Sequence, residues 1–225
     1  MTALNAHRAS RFTWSQPFVY LIALVVVAVT VAPVIYVILN GFRTTAQINA
    51  NPGGLPDPWV FEKYLAVFQN PNFWTQILNS TIVAGLTTAG VVVVGVMAAV
   101  VIARYEFWGR TLLYSVFTAG LLFPLTVAVL PLFTMLRTFG LLGNLSAVIA
   151  PQIAFAIPTT IIILVPFLRA IPAELEDAAM IDGASRFGFF WRVLLPLSWP
   201  GLVTVGVLAF VASWIQTGRV RSEQV

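Results

Sequence analysis

The apolar text of this chain falls into five long stretches without a charged side chain, separated by polar connections. Residues 18–39 form the first, 22 positions long. At 1.5 Å per helical residue, that length crosses a bilayer core of about 30 Å. A secretory signal is the rival reading, but its apolar region is only about 7–15 residues, and no Ala-rich cleavage spacing follows here. The pattern predicts an uncleaved first span, kinked at Pro33. Residues 75–103, 111–136 and 146–168 predict three further spans, and residues 199–214 a shorter fifth. Pro124 and Pro131 predict a bent third helix, either lining a moving interior or statically kinked in the packing. Pro151, Pro158 and Pro166 interrupt the fourth. Gly85, Gly90 and Gly95 recur every five residues in the second. Five residues advance a helix by about 140°, so these glycines do not form one stripe. They predict close packing among the chain's own helices.

The polar connections predict the rest. Residues 40–72 carry turn signals at Asn51-Pro52-Gly53-Gly54 and Pro56-Asp57-Pro58. Trp59, Phe61, Tyr64, Phe68, Phe73 and Trp74 then read as an interfacial aromatic belt, with a short surface helix near residues 60–68. Residues 171–196 are unlike the rest, holding four of the chain's eight acids: Glu174, Glu176, Asp177 and Asp182. Pro172 can start a helix, since the first turn does not need its missing N–H. The acids then fall where the positive helix end favours them. Ala178, Ala179 and Met180 continue the helix, and Gly183 can end it in the left-handed region. A second short helix is predicted from Ser185 towards Leu195, before Pro196. Such a helix–turn–helix at a membrane surface is a docking element.

Composition narrows the class. The 225 residues are 59% hydrophobic and 9% charged, against about 25% charged in soluble domains. The chain is a polytopic membrane protein. Its net charge of +4 comes from twelve basic residues that form no stripe, so nucleic acid is not a partner. With no cysteine and one histidine, His7, in the polar tail, a thiolate or histidine metal site is excluded. Arg8, Arg11, Arg104, Arg110, Arg169, Arg186 and Arg192, seven of the twelve, share one side if four spans separate the tail from the acidic segment. Arg43, Lys63 and Arg137 face the other side, and Arg219 and Arg221 lie in the carboxyl-terminal tail. The bias puts the amino terminus in the cytoplasm. Polar groups inside the spans are few. Gln152, Thr159 and Thr160, together with Asn79, are the candidates to face a solute path, against the plainer reading of interhelical hydrogen bonds. No span holds a carboxylate for a proton relay.

The acidic segment resembles the signature loop of binding-protein-dependent ABC importer permeases. The family pattern is Glu-Ala-Ala, three residues, Gly, nine residues, Ile-x-Leu-Pro. Here it reads Asp177-Ala178-Ala179, Gly183, then Val193-Leu194-Leu195-Pro196. Asp177 is one methylene shorter than the usual Glu, and Val193 replaces the frequent Ile. The leading Ile171-Pro172-Ala173-Glu174-Leu175-Glu176 and Asp182 resemble the carbohydrate-uptake branch, similar to the smaller maltose permease and glycerol-phosphate permeases. The implied fold class is all-α: a polytopic membrane bundle of the type I ABC importer permease kind, with five of the usual six transmembrane helices. The implied domains are a tail over 1–16, a permease domain over 17–214 with a coupling loop at 169–199, and an anomalous polar tail over 215–225. The family continues past the position of Trp214 with another span, so the resemblance leads us to expect a fragment of a longer chain.

The resemblance implies an inner or plasma membrane permease passing a sugar or similar solute by alternating access. No Gly-Lys-Ser/Thr phosphate loop occurs, so ATP and Mg are expected in two partner ATPase subunits and no cofactor in this chain. A second permease, a different chain, and an extracytoplasmic solute-binding protein complete the implied assembly. Glu174, Glu176, Asp177, Ala178, Ala179, Asp182, Gly183 and Pro196 are the implied coupling residues. Three rivals were weighed. A secondary transporter needs buried carboxylates and inverted repeats, and a membrane enzyme needs convergent catalytic side chains. The third is a structural or non-functional permease fragment.

Overall fold

In hydrocarbon a backbone can satisfy its own polar groups only as helix or closed barrel, and this chain uses helices. A computed structural model describes residues 15–222. Two units are distinguished, residues 1–74 and 75–225. In the first, α1 (Ser15–Gly41) carries Pro33 in its interior. Its side chains from Phe18 to Ile38 are all exposed. Two short helices follow, α2 (Thr45–Ala50) and α3 (Glu62–Gln69). α3 is the predicted surface helix, while α2 was not foreseen. A reciprocal capping box starts α2, with Thr44 accepting from the Gln47 N–H and the Gln47 side chain accepting from the Thr44 N–H.

Arg43 holds this connection together. It is 2% exposed, and its guanidinium donates to Asn40 Oδ1 and to the carbonyls of Gln47, Asn51 and Pro52. Lys63 Nζ in turn donates to the Arg43 carbonyl at 2.7 Å. The predicted belt proves to be two clusters. Phe42 packs on Trp59, Phe61 and Tyr64, with ring centroids 4.5–5.3 Å apart, and Phe68, Phe73 and Trp74 pack on one another.

The second unit is built on α4 (Pro71–Arg104), 34 residues long. Its buried residues Val83, Ala84, Thr87, Val91, Gly95, Val96, Ala99, Ile102 and Ala103 recur at three- and four-residue steps, one apolar face of a helix. α7 (Ser146–Arg169) answers with Thr160, Ile161, Leu164, Val165 and Leu168. It stays one helix through all three prolines, which were expected to interrupt it. The core joins these two faces to Leu202, Val205 and Ala209 of α11 (Trp199–Ser222).

One further sequence expectation is corrected. The third span is two helices, α5 (Arg110–Gly120) and α6 (Leu125–Thr138), not one bent helix. Pro124 has no N–H to offer and disfavours helical dihedrals in the residue before it, and the chain turns over 121–124. Pro131 sits inside α6 without ending it. Among the described residues, α1, α4, α7 and α11 are long and apolar enough to cross a membrane, while the apolar part of α6, Thr126–Thr138, is shorter. Within the polar tail, residues 215–222 continue α11 to Ser222. Thr217 Oγ1 donates back to the Ser213 carbonyl at 2.8 Å within it.

The glycines of α4 divide by what faces them. A Cβ on Gly95 would lie 2.3 Å from Thr160 Cγ2, and one on Gly90 2.4 Å from Ile153 Cδ1, both on α7. A Cβ on Gly85 meets nothing within 4 Å. Overpacking costs about 1–3 kcal/mol, whereas relieving a helical glycine gains about 0.5–1 kcal/mol. Gly95→Ala therefore lowers the melting temperature of the purified chain and Gly85→Ala does not. Equal shifts in thermal unfolding of the two variants would refute this packing.

Candidate functional site

The acidic segment folds as a helix–turn–helix. α8 (Glu174–Ile181) begins two residues after Pro172, which serves as its approach rather than its first residue. The Ala173 carbonyl accepts from the N–H groups of Glu176 and Asp177 at 2.8 and 3.2 Å. At the other end Gly183 has φ +81°, a conformation open to glycine at little cost. Its N–H bonds the Met180 carbonyl at 3.0 Å, and the Ala184 N–H bonds the Ala179 carbonyl at 2.9 Å. Those two bonds make a Schellman ending. Ser185 then caps α9 (Arg186–Phe189), its Oγ accepting from the Gly188 N–H at 3.1 Å.

The second helix widens before the signature proline. Residues 190–194 form a π turn in which the Leu195 N–H reaches the Phe190 carbonyl. A proline ring clashes with the carbonyl four residues back, and widening moves the Arg192 carbonyl aside for Pro196. Pro196 therefore lies within the helical path, in α10 (Leu195–Leu197), and not beyond its end.

The residues expected to couple do not share one face. Glu174, Asp177, Ala178, Asp182 and Gly183 are exposed, and Ile181 beside them is 86% exposed. Ala179 is half-buried against the core. Glu176 turns inward, where its Oε2 lies 3.4 Å from Arg104 Nε. Arg104 ends α4, and its Nη1 donates to the Ile171 carbonyl at 2.8 Å. Its guanidinium also stands 5.9 Å from the Phe189 ring centroid. In the sequence this arginine was legible only as a positive charge; no local pattern pairs it with an acid 72 residues on.

A second site lies among α4, α7 and α11. It is a cavity of about 320 Å³, near the lower end of small-molecule pockets. Gln152, Thr159 and Thr160 line it, and Asn79 does not. Thr87, Ser213 and Gln216 join them, unforeseen because the sequence does not state how α4 and α11 turn about their axes. Gln152 Oε1 accepts from Thr87 Oγ1 at 3.3 Å and from Ser213 Oγ at 2.5 Å. Gln152 thus ties three helices through its amide oxygen. Thr160 Oγ1 is committed to the Ala156 carbonyl at 2.9 Å.

Residues 91–218 match the family described as binding-protein-dependent transport system inner membrane component. The chain is 39% identical over 188 residues to the diacetylchitobiose uptake system permease protein NgcG of Streptomyces coelicolor, covering 84% of this chain and 62% of that one. It is 33% identical to the sulfoquinovosyl glycerol transport system permease protein SmoH of Agrobacterium fabrum, covering 95% and 75%. It is 35% identical to the trehalose transport system permease protein SugB of Mycobacterium tuberculosis, covering 84% and 69%. The chain thus spans 62% to 75% of the length of these relatives. Its fold matches a crystal structure of a bacterial ABC transporter involved in the import of the acidic polysaccharide alginate, with a TM-score of 0.70 at 22% identity, over 90% of this chain and 73% of that one. The helix bundle, the signature loop with its glycine turn and these matches carry the conclusion that the chain belongs to the inner membrane components of binding-protein-dependent transport systems, as an ABC importer permease.

Proposed function

We propose that this chain is the transmembrane permease subunit of an ATP-driven sugar importer. The carrying observation is α8: an exposed face of Asp177, Ala178, Ile181 and Asp182 on a helix whose far side is anchored by Glu176 and Ala179. Small alanines admit close approach, Ile181 offers an apolar contact, and the acids meet basic or amide groups. A cytoplasmic ATPase subunit is the partner this face fits, with a second ATPase on a partner permease of different sequence. ATP and Mg are bound there, and this chain binds no cofactor. An extracytoplasmic binding protein delivers the solute. The cavity around Gln152 serves the solute path, since its cluster of hydroxyl and amide groups suits a polyhydroxyl ligand. The names of the relatives support the sugar class. The chain sits in the inner or plasma membrane with its amino terminus, which lies outside the described residues, in the cytoplasm.

Docking is tested at two positions. Gly183→Val forces a β-branched residue to φ +81°, a strain of about 1–3 kcal/mol that misshapes the turn. Asp177→Arg reverses a charge on the exposed face. Both variants should reach the membrane, lose copurification of the ATPase and lose solute-stimulated ATP hydrolysis. Retention of both readouts would remove the docking role. The solute path is tested by uptake of diacetylchitobiose, trehalose and maltose into vesicles holding the assembled importer. Gln152→Ala lowers uptake of the accepted sugar roughly two- to tenfold, the worth of one net hydrogen bond of about 0.5–1.5 kcal/mol. Undiminished uptake would place the path elsewhere.

Orientation is tested by cysteine labelling, since the chain has none of its own. Gly109 and Gly143 have φ +89° and +87° and are poor hosts for a side chain. Their neighbours Trp108, 99% exposed, and Asn144 serve instead, with Ser10 and Asn51. An impermeant thiol reagent added to intact cells labels cysteines at 51 and 144 and spares those at 10 and 108. The reverse pattern would invert the topology.

A further inference from the structure

We propose that Arg104 is the positioning residue through which displacement of α8 reaches the membrane helices; the inference rests on the reading of α8 as the ATPase docking helix. One guanidinium grips three parts of the segment at once. Nε faces Glu176 of α8 at 3.4 Å, Nη1 holds the Ile171 carbonyl ahead of α8 at 2.8 Å, and the Phe189 ring of α9 lies 5.9 Å away. The side chain is 7% exposed, so water screens these contacts little. An ordinary helix-capping role does not account for it. Arg110 already fills that role, donating to the carbonyls of Ile102 and Ala103 at 2.8 and 3.2 Å.

What Arg104 is attached to decides where force goes. α4 contains no proline after its first residue, Pro71. α7 contains three, and the third span is broken between α5 and α6. α4 is therefore an unbroken route from the segment into the bundle. Thr87, on the same helix, is 17 residues from Arg104, roughly 25 Å at 1.5 Å per residue. That threonine lines the cavity and bonds Gln152. Midway, Gly95 seats α4 directly against Thr160 of α7. A pull on α8 thus moves the end of a rod that carries Thr87 of the cavity wall.

The grip also has a second setting. Arg104 Nη2 is buried with no hydrogen-bond partner. A carboxylate can meet an arginine through two parallel bonds. A small shift of α8 towards α4 lets Glu176 engage Nε and Nη2 together, so the contact has two discrete arrangements rather than a continuum. A lysine, with one point charge, holds neither fork nor both partners.

The test uses the assembled importer, with the partner permease and ATPases, carrying Ala212→Cys in the cavity lining. A maleimide reagent is the probe, its attachment to this chain followed with and without ATP. In the otherwise unaltered importer, ATP changes the labelling rate at least fivefold. With Arg104→Lys or Arg104→Gln, chosen to keep the charge or a hydrogen-bond donor, the ATPase still copurifies and the change falls below twofold. Variants that respond like the parent overturn the inference. So do variants that no longer bring down the ATPase, because Arg104 would then merely shape the docking surface. If the parent itself brings down no ATPase, the docking reading fails first, and that outcome is distinct from the other two.

Discussion

The constraint on which this structure depends is that hydrocarbon offers a backbone no partner but itself. Each helix must close its own hydrogen bonds, and every proline removes a donor and displaces a carbonyl. The chain meets fourteen prolines in different ways. Three are carried inside α7, and one, Pro124, splits a span in two. Pro196 is accommodated by a π turn just before it. α4 has none beyond its first residue, and it is the helix that the rest of the second unit packs around. Rigidity is thus unevenly distributed, and the uneven distribution follows from where one residue type falls.

The acidic segment applies the same logic to charge. Its helix is short, and a short helix has little stability of its own. The Schellman ending and the Ser185 cap satisfy its loose ends locally. The Arg104–Glu176 pair and the half-buried Ala179 hold it to the bundle. With the inner side so occupied, Asp177, Ala178 and Ile181 are left facing out. Presentation of one face is a consequence of how thoroughly the other is engaged.

Much of this was legible in the residues. Long uncharged runs fixed the helical class, and Gly183 marked its own turn, because few other residues take that dihedral. Gln152, Thr159 and Thr160 were found as polar groups in apolar helices, and all three line one cavity. What stayed hidden was pairing between distant positions. Arg104 with Glu176, and Ser213 with Gln152, depend on how helices rotate about their axes, which a single sequence does not state. Asn79 looked like the others and lies apart from them for the same reason. The break at Pro124 and the helix through Pro151, Pro158 and Pro166 show the limit of proline as a signal. Its effect depends on whether the freed carbonyl has somewhere to turn.

Arg43 has a consequence of a different kind. The oxygens that hold it belong to one amide side chain and three peptide groups, and none is a carboxylate. An anchor made with an acid loosens when the acid takes up a proton; amide and peptide oxygens have no such transition in ordinary acidity. The connection between α1 and α3 is therefore built to keep its shape in sour surroundings and in brine alike, since it relies on buried dipoles rather than on exposed opposite charges.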